Sequence, residues 1–218
     1  MEENLEKYMT TNDSTFINKL HEPLKSKYLP LKCLFDIIFG ILLFIPSSIV
    51  ILFFMALVRL ETPGKCFYSQ KRVGLMGKTI VVTKLRSMYS NAEKNSGAVW
   101  AKKNDDRVTR VGHFMRKTRI DELPQLLSVI RGDMSLIGPR PERPEFTEKF
   151  SKEYPGFEQR LRIKPGLSGY AQVHGGYDID PGKKAELDRY YIENIGLQID
   201  SHVFFETIKT VITGEGAR

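Results

Sequence analysis

A chain of 218 residues has room for one domain of ordinary size or a domain with an appendage, and no internal repeat or low-complexity tract is visible in it. Lys and Arg outnumber Asp and Glu by 33 to 26, a formal net charge of +7, which favours an anionic partner (nucleic acid, phospholipid or nucleotide) without choosing among the three. Two cysteines, Cys33 and Cys66, with no Cys or His beside them at metal-ligand spacing, argue against a disulfide or zinc scaffold and suit a reducing compartment.

Residues 1–30 are polar, contain Pro23 and Pro30, and read as a tail with at most a short helical stretch. Residues 31–60 are a membrane segment. Cys33 to Val58 is apolar except for Asp36, Ser47 and Ser48, and its 26 residues exceed what the bilayer core needs; as one helix they would measure about 39 Å against a hydrocarbon thickness of about 30 Å. The run starts too late and is too long for a cleaved signal peptide. Pro46 removes a backbone donor near its centre, and Ser47 and Ser48 can bond the carbonyls so freed, so a helix–break–helix is expected. Lys25, Lys27 and Lys32 precede the segment, and Arg59, Lys65, Lys71 and Arg72 follow it. The positive-inside rule puts both flanks in the cytoplasm, which only a re-entrant hairpin satisfies; the rivals are a straight crossing with residues 1–32 outside, and a buried helix of a soluble core. Asp36, about one turn inside, reads as structural, tolerable near headgroups or beside Lys32 or Arg59.

Residues 61–218 form the third unit. Within it, residues 61–88 read as two short strands about a turn at Gly74 and Gly77, with Phe67 and Tyr68 on one arm and Thr79 to Thr83 on the other. Lys84 and Arg86, taken alone, suit a solvated strand edge. Asn91 to Asp106 is a polar loop carrying Trp100, usable as a lid, a connection or a membrane-interface contact. Ile120, Leu123, Leu126, Leu127 and Ile130 then recur at helical spacing, which places Asp121 and Glu122 on the first turn of a helix, hemmed in by Arg116, Lys117, Arg119 and Arg131. Carboxylates there gain from the helix dipole, and the cations that keep them ionised can also neutralise an approaching phosphate.

Asp133 to Ile137 suits a short strand, and the GPRPERP that follows presents Arg140 and Arg143 on a stiff loop. Glu145 to Arg162 is an amphipathic helical stretch interrupted by Pro155 and Gly156, its aromatic residues facing a core or the membrane surface. Lys164 to Asp180 reads as a Gly-rich loop and strand, and Glu186 to Gly214 as one or two closing helices. The fold class is therefore α+β: a mostly helical catalytic domain with a small β-hairpin, behind an N-terminal membrane hairpin. No Walker loop, dinucleotide fingerprint or zinc pattern appears.

An Asp-Glu dipeptide alone is commonplace on a capped surface helix. Its company is not: LRSM, HFMRKTRIDELPQL, GDMSLIGPRPERPEF, RLRIKPGLSGYAQV and the closing TGEGAR, in that order, resemble the bacterial sugar transferase family, the monotopic polyprenyl-phosphate phosphoglycosyl transferases. The resemblance covers residues 30–218 and matches the minimal form of the family. It implies transfer of a sugar-1-phosphate from a UDP-sugar to undecaprenyl phosphate, with release of UMP, as the first membrane step of exopolysaccharide, capsule, O-antigen or glycoprotein glycan synthesis. It further implies that Asp121 is a nucleophile forming a covalent phosphosugar intermediate and that Glu122 assists it, with Mg²⁺ held by Asp121 and Glu122. Arg116, Lys84 and Arg86 would contact phosphate, as would Arg140 in the Pro139–Arg140–Pro141 turn; Pro46 and Ser47 would make the membrane break.

The place of action so implied is the cytoplasmic face of the bacterial inner membrane, with a homodimer left open and no nucleic-acid partner, since the basic residues do not gather on one helical face. Arg119 departs from the family pattern, where a small residue is frequent. Two other readings remain at this stage: direct attack by the lipid phosphate with the acids only holding Mg²⁺, and an inactive membrane-anchored scaffold that recruits later glycosyltransferases.

Overall fold

The computed structural model describes residue 20 and residues 22–90, 92, 105–176 and 179–213. Most of the 91–106 loop, with Trp100, lies outside the described residues, as do residues 1–19 and the last five of the chain.

Helix α1, Tyr28–Glu61, is 34 residues long and passes through Pro46 without interruption. The helix–break–helix expected here is therefore not seen as a break in the helix, and Ser48 Oγ donates at 2.6 Å to the Ile45 carbonyl, not to that of Leu42, which Pro46 leaves without its helical donor. The helix is long and apolar enough to cross a membrane, and only 17% of its most apolar 18-residue stretch is buried. That exposure disposes of the reading in which it is the core helix of a soluble protein.

What α1 does bury belongs to both of its halves. Near the N-terminal end Lys32, Asp36 and Gly40 are buried, and near the C-terminal end Ile51, Phe54 and Val58. Lys32 Nζ donates to Asp200 at 2.6 Å, as does Tyr28 OH at 2.8 Å. Asp36 accepts from the Leu136 amide at 3.0 Å, so its partner is a strand backbone as well as the neighbouring lysine. At the other end Ile51, Phe54 and Val58 form one apolar cluster with Leu85 and Met115. Arg86 closes the end of α1: its guanidinium donates to the Val58 carbonyl in the last turn at 3.4 Å and, just past the helix, to the carbonyls of Thr62 at 2.8 Å and Pro63 at 2.6 Å. A cation on a helix C-terminus meets both its orphan acceptors and its dipole.

Strands β1, Phe67–Val73, and β2, Thr79–Leu85, pair antiparallel with Tyr68 opposite Lys84. The hairpin drawn from the sequence is present with the expected arms. Helix α2, Arg110–Lys117, starts at Thr109, whose side chain accepts from the Gly112 amide. Its first free amides also reach back to α1, since Glu61 accepts from Arg110 N at 2.8 Å and Val111 N at 3.2 Å. After a 3₁₀ helix, Ile120–Gln125, comes α3, Leu126–Ile130, and then β3, Ser135–Ile137.

Helix α4, Pro144–Glu153, stops before Pro155 as expected, and a 3₁₀ helix, Phe157–Arg162, follows. Phe150 and Phe157 are buried, so this aromatic face serves a core. Strand β4, Gly166–Ser168, pairs parallel with β3, a second two-stranded sheet that the sequence reading does not contain. The Gly-rich stretch then forms α5, Tyr170–Gly175, instead of continuing as strand, and α6, Pro181–Glu193, and α7, Leu197–Thr213, close the described chain. Ile137, Ile163, Tyr191, Ile192, Ile199 and Val203 make the core under these helices.

Gly112 is where α2 touches the end of the hairpin: a Cβ there would lie 2.0 Å from the Ser87 carbonyl oxygen. Backbone meets backbone, so no rotamer change can relieve the clash. Gly112→Ala is therefore expected to lower stability by about 2 kcal/mol or more, read as a reduced midpoint in denaturant; an unchanged midpoint would show that α2 can shift away from Ser87 freely.

Candidate active site

The local geometry begins at Arg119. Helix α2 ends with Lys117, and Arg119 takes a left-handed backbone, φ 59° and ψ 12°, with its amide bonded to the Arg116 carbonyl at 3.3 Å. A side chain in that region carries strain of order 1 kcal/mol or more. The Arg119 carbonyl then accepts from the Glu122 amide at 3.1 Å, which starts the turn bearing both acids. The expected α-helix from Ile120 is replaced by a 3₁₀ helix through Gln125. Pro124 has no amide to donate and disfavours the α conformation at Leu123, so the regular helix starts only after it. Asp121 and Glu122 nevertheless stand on a first helical turn, and both are buried.

Buried side by side, the two carboxylates are treated differently. Glu122 is gripped from two sides: Lys84 Nζ donates to Oε1 at 2.6 Å, while Arg140 donates through both terminal nitrogens, Nη1 to Oε2 at 3.2 Å and Nη2 to Oε1. Burial alone pushes the Glu122 carboxyl up, but Arg140 and Lys84 outweigh it and hold it well below the usual carboxylate range. Asp121 has no hydrogen bond or ion pair to another described residue. Burial pushes its carboxyl above the ordinary value, a shift that Lys84 opposes and the Glu122 charge reinforces.

The pair opens on a cavity of about 530 Å³ bounded by the hairpin, α2, the Pro139–Pro141 turn and α5, within the size range of small-molecule sites. Lys84, Arg116, Arg119 and Arg140 line it with the two acids, joined by Arg72, Arg143 and Lys184 farther along. Arg116 is oriented by Ser87, to whose Oγ its Nε donates at 2.9 Å. Arg86 contributes to the wall, but its guanidinium is committed to the end of α1 as described above. Lys117 and Arg131, close to the acids in sequence, are exposed and do not line the cavity. Of the cations near in sequence, Arg116 acts on Asp121 and Arg119 on Glu122, and the strongest cations come from β2 and the Pro-Arg-Pro turn.

Several residues here carried no sequence signal. Glu142 holds Lys184, and Arg160 donates to the Arg140 carbonyl at 2.7 Å while pairing with Asp188 at 2.9 Å. These partners lie tens of residues apart; Glu142 and Arg160 fall inside the sequence blocks named above, whereas Lys184 and Asp188 do not. As for metal, no three His, Cys, Asp or Glu among the described residues are gathered to hold an ion alone. Asp121 has a free carboxylate to offer, whereas Glu122 could join only by releasing Lys84 or Arg140. That is the sparse donor set that suits Mg²⁺, which takes one or two carboxylates and draws its remaining ligands from water and substrate phosphate.

The unequal environments predict opposite effects on stability. A carboxyl held above its unfolded value lowers stability as pH rises through the interval between the two. Asp121→Asn is therefore expected to raise the melting temperature at pH 7, with the gain fading as pH falls toward about 4. Glu122 is held below its unfolded value, so its contribution is present at pH 7 and is lost as pH falls through the folded value. Glu122→Gln leaves Lys84 and Arg140 facing each other and should lower stability on the order of 2–3 kcal/mol. Thermal unfolding of the two variants across pH checks both, and a destabilised Asp121→Asn protein would contradict the assignment.

A profile of the bacterial sugar transferase family matches residues 27–214. An Aeromonas hydrophila protein named UDP-N-acetylgalactosamine-undecaprenyl-phosphate N-acetylgalactosaminephosphotransferase is 43% identical over 211 residues, covering 93% of this chain and 50% of that protein. A Bacillus subtilis protein named provisionally as an undecaprenyl-phosphate N-acetylgalactosaminyl 1-phosphate transferase is 52% identical over 177 residues, covering 77% of this chain and 98% of that protein. Escherichia coli UDP-glucose:undecaprenyl-phosphate glucose-1-phosphate transferase is 36% identical over 178 residues, covering 79% of this chain and 38% of that protein. The chain thus spans half or less of the longer relatives and nearly all of the Bacillus one. With its acidic pair, its arginine-lined cavity and its apolar first helix all inside the matched region, the chain belongs to the bacterial sugar transferase family.

Proposed function

We propose that the chain transfers a sugar-1-phosphate from a UDP-sugar to undecaprenyl phosphate, releasing UMP, through a covalent intermediate on Asp121. The observation that carries this reading is the asymmetry of the acidic pair. Glu122 is immobilised and neutralised by Lys84 and Arg140, while Asp121 is buried beside it with no bond to hold it back. A carboxylate stripped of solvent and of hydrogen bonds is a better nucleophile than one in water.

In the first step a carboxylate oxygen of Asp121 forms a bond to the phosphorus that carries the sugar. The bond from that phosphorus to the bridging oxygen breaks, and UMP departs with the electron pair. In the second step a phosphate oxygen of the lipid attacks the same phosphorus, the acyl–phosphate bond breaks, and Asp121 is regenerated as carboxylate with the sugar diphosphate now on the lipid. Arg116 and Arg119, on the walls beside Asp121, are placed to bind the transferring phosphate, and Arg140 keeps Glu122 from repelling it. Mg²⁺, held by Asp121 and the donor's own phosphate oxygens, would offset charge on the departing UMP.

Two relatives named for N-acetylgalactosamine transfer make UDP-N-acetylgalactosamine the first donor to test. An exopolysaccharide production protein among the relatives supports a place at the start of surface glycan synthesis. The inactive-scaffold reading is disfavoured by the intact grip on Glu122 and the cavity above it.

For the membrane segment we propose a re-entrant α1 with both flanks at the cytoplasmic face. The support is that residues at both ends of α1 pack on one catalytic domain: Lys32 and Asp36 on α7 and β3, and Phe54 and Val58 against β2 and α2. A straight crossing would put those contacts about 39 Å apart along the membrane normal, drawing polar strands and helix ends into hydrocarbon. Ile45 and Ile49, either side of the Pro46 region, are 63% and 72% exposed and suit the deepest part of the insertion.

Incubation with sugar-labelled UDP-N-acetylgalactosamine and no lipid should leave label on wild-type protein and none on Asp121→Ala. Label-free protein that still turns over with lipid present would instead establish direct attack by the acceptor. The acid limb of the turnover profile should report Asp121, so Lys84→Met, which removes a cation that favours its ionised form, should move that limb to higher pH. For topology, single cysteines at positions 10 and 215 in intact cells should both resist an impermeant reagent; labelling of position 10 alone would establish the straight crossing.

A further inference from the structure

We propose that Arg160 and Asp188, which the reaction outlined above does not use, are positioning residues that hold Arg140 on Glu122 by fixing the backbone of the Pro139–Pro141 turn. The proposal rests on the reading of Asp121 and Glu122 as the reacting pair. Arg140 lies in a stretch without regular secondary structure, between β3 and α4. Its side chain must nevertheless meet Glu122 with both terminal nitrogens, a geometry that tolerates displacements of only about 0.5 Å. Something outside the turn has to set its backbone.

Two arginines do so through carbonyls. Arg160 Nη2 donates to the Arg140 carbonyl at 2.7 Å, and Arg72 Nη1 donates to the Pro141 carbonyl at 3.2 Å. Arg160 is the buried one. Its side chain is 3% exposed, its guanidinium stands 4.8 Å from the centre of the Phe157 ring, and Nη2 is 2.9 Å from Asp188 on α6. Asp188 is 1% exposed. A buried ion pair of this kind is seldom worth more than an apolar pair of the same volume, so its use here calls for a task that apolar side chains cannot perform. Donating to a fixed carbonyl is such a task.

The same helix grips the turn a second time. Lys184, one turn before Asp188 on α6, bonds Glu142, the residue that follows the turn, and Arg160 Nη1 approaches that carboxylate at 3.8 Å. Acid and base alternate from α6 to the turn, so α6 and the turn move as one body. Arg160 meets the Arg140 carbonyl and the Asp188 carboxylate through one nitrogen, Nη2, at the far end of a long planar group; lysine keeps the charge but is shorter and cannot set its nitrogen at both.

Arg160→Lys is therefore the discriminating variant, because it leaves Asp188 paired and the core charge-balanced. In the full-length protein it should fold with a melting temperature close to wild type, and amide exchange of residues 140 and 142 should quicken. Its kcat/KM for the UDP-sugar should fall about tenfold, mostly in kcat. In an Arg140→Ala background, where the carbonyl remains but the guanidinium is gone, Arg160→Lys should have no further effect on turnover.

A tenfold loss that persists in the Arg140→Ala background would overturn the proposal, as would unchanged exchange and kcat. If Arg160→Lys does not fold, Asp188→Asn carries the same comparison with the guanidinium intact. Amide exchange reads the turn without substrate, so wild-type protein that turns over no UDP-sugar would count against the proposed reaction, while faster exchange in the variant would still support the positioning role.

Discussion

The Glu122 carboxylate, shared between Lys84 and Arg140, is the interaction on which the rest of the site depends. It joins three segments far apart in the chain: β2, thirty-eight residues upstream, the 3₁₀ turn, and a proline-framed loop eighteen residues downstream. Two cations and one carboxylate in a buried place leave an excess of positive charge, and the second carboxylate sits within its reach. That excess opposes the upward push that burial gives the Asp121 carboxyl, which has no hydrogen bond of its own to do so. Had the cations bonded both acids equally, each would be stabilised and neither would be reactive. The division of labour comes from geometry, since the residue types differ by one methylene.

That charge cluster is tied mechanically to the apolar helix. Lys84 reaches Glu122, and Arg86, two residues on, closes the end of α1. Glu61, the last residue of α1, accepts from the first amides of α2, the helix that carries Arg116 and ends just before Arg119. At the far end Tyr28, Lys32 and Tyr191 all converge on Asp200. The helix is thus fastened by polar contacts at both ends and by apolar ones between, an arrangement that places the acidic pair at a fixed height relative to whatever apolar phase the exposed face of α1 enters.

Much of this was readable in the residues, and the failures have physical causes. The β-hairpin followed from alternation and glycine spacing, and the first-turn position of Asp121 and Glu122 followed from apolar periodicity. The helix type did not, because periodicity is blind to the local effect of Pro124. Nearness in sequence misled for Lys117 and Arg131, which are exposed, and the direct grip of Lys84 on Glu122 was not visible from the residues alone, though the family resemblance put Lys84 at the site. Arg86 matched a phosphate-binding block yet spends its donors on a helix end, which no one-dimensional pattern could distinguish. The parallel β3–β4 pair and the Glu142–Lys184 and Arg160–Asp188 contacts are products of chain return over long separations, where a single sequence carries little signal.

Arg119 shows how a departure from a family's habit can be explained by the backbone. Its left-handed conformation ends α2 and opens the acidic turn, a place where a small residue is the natural occupant. The strain of an arginine there is of order 1 kcal/mol, small beside what a cation contributes when it faces a bound diphosphate in a partly dry cavity. Arg119 does line that cavity, and its charge already acts on Glu122. A glycine would relax the turn but leave Asp121 with one fewer counter-charge for the phosphate it must approach. The residue whose strained backbone opens the acidic turn is thus also one that lines the cavity, where the proposed reaction would bring a phosphate.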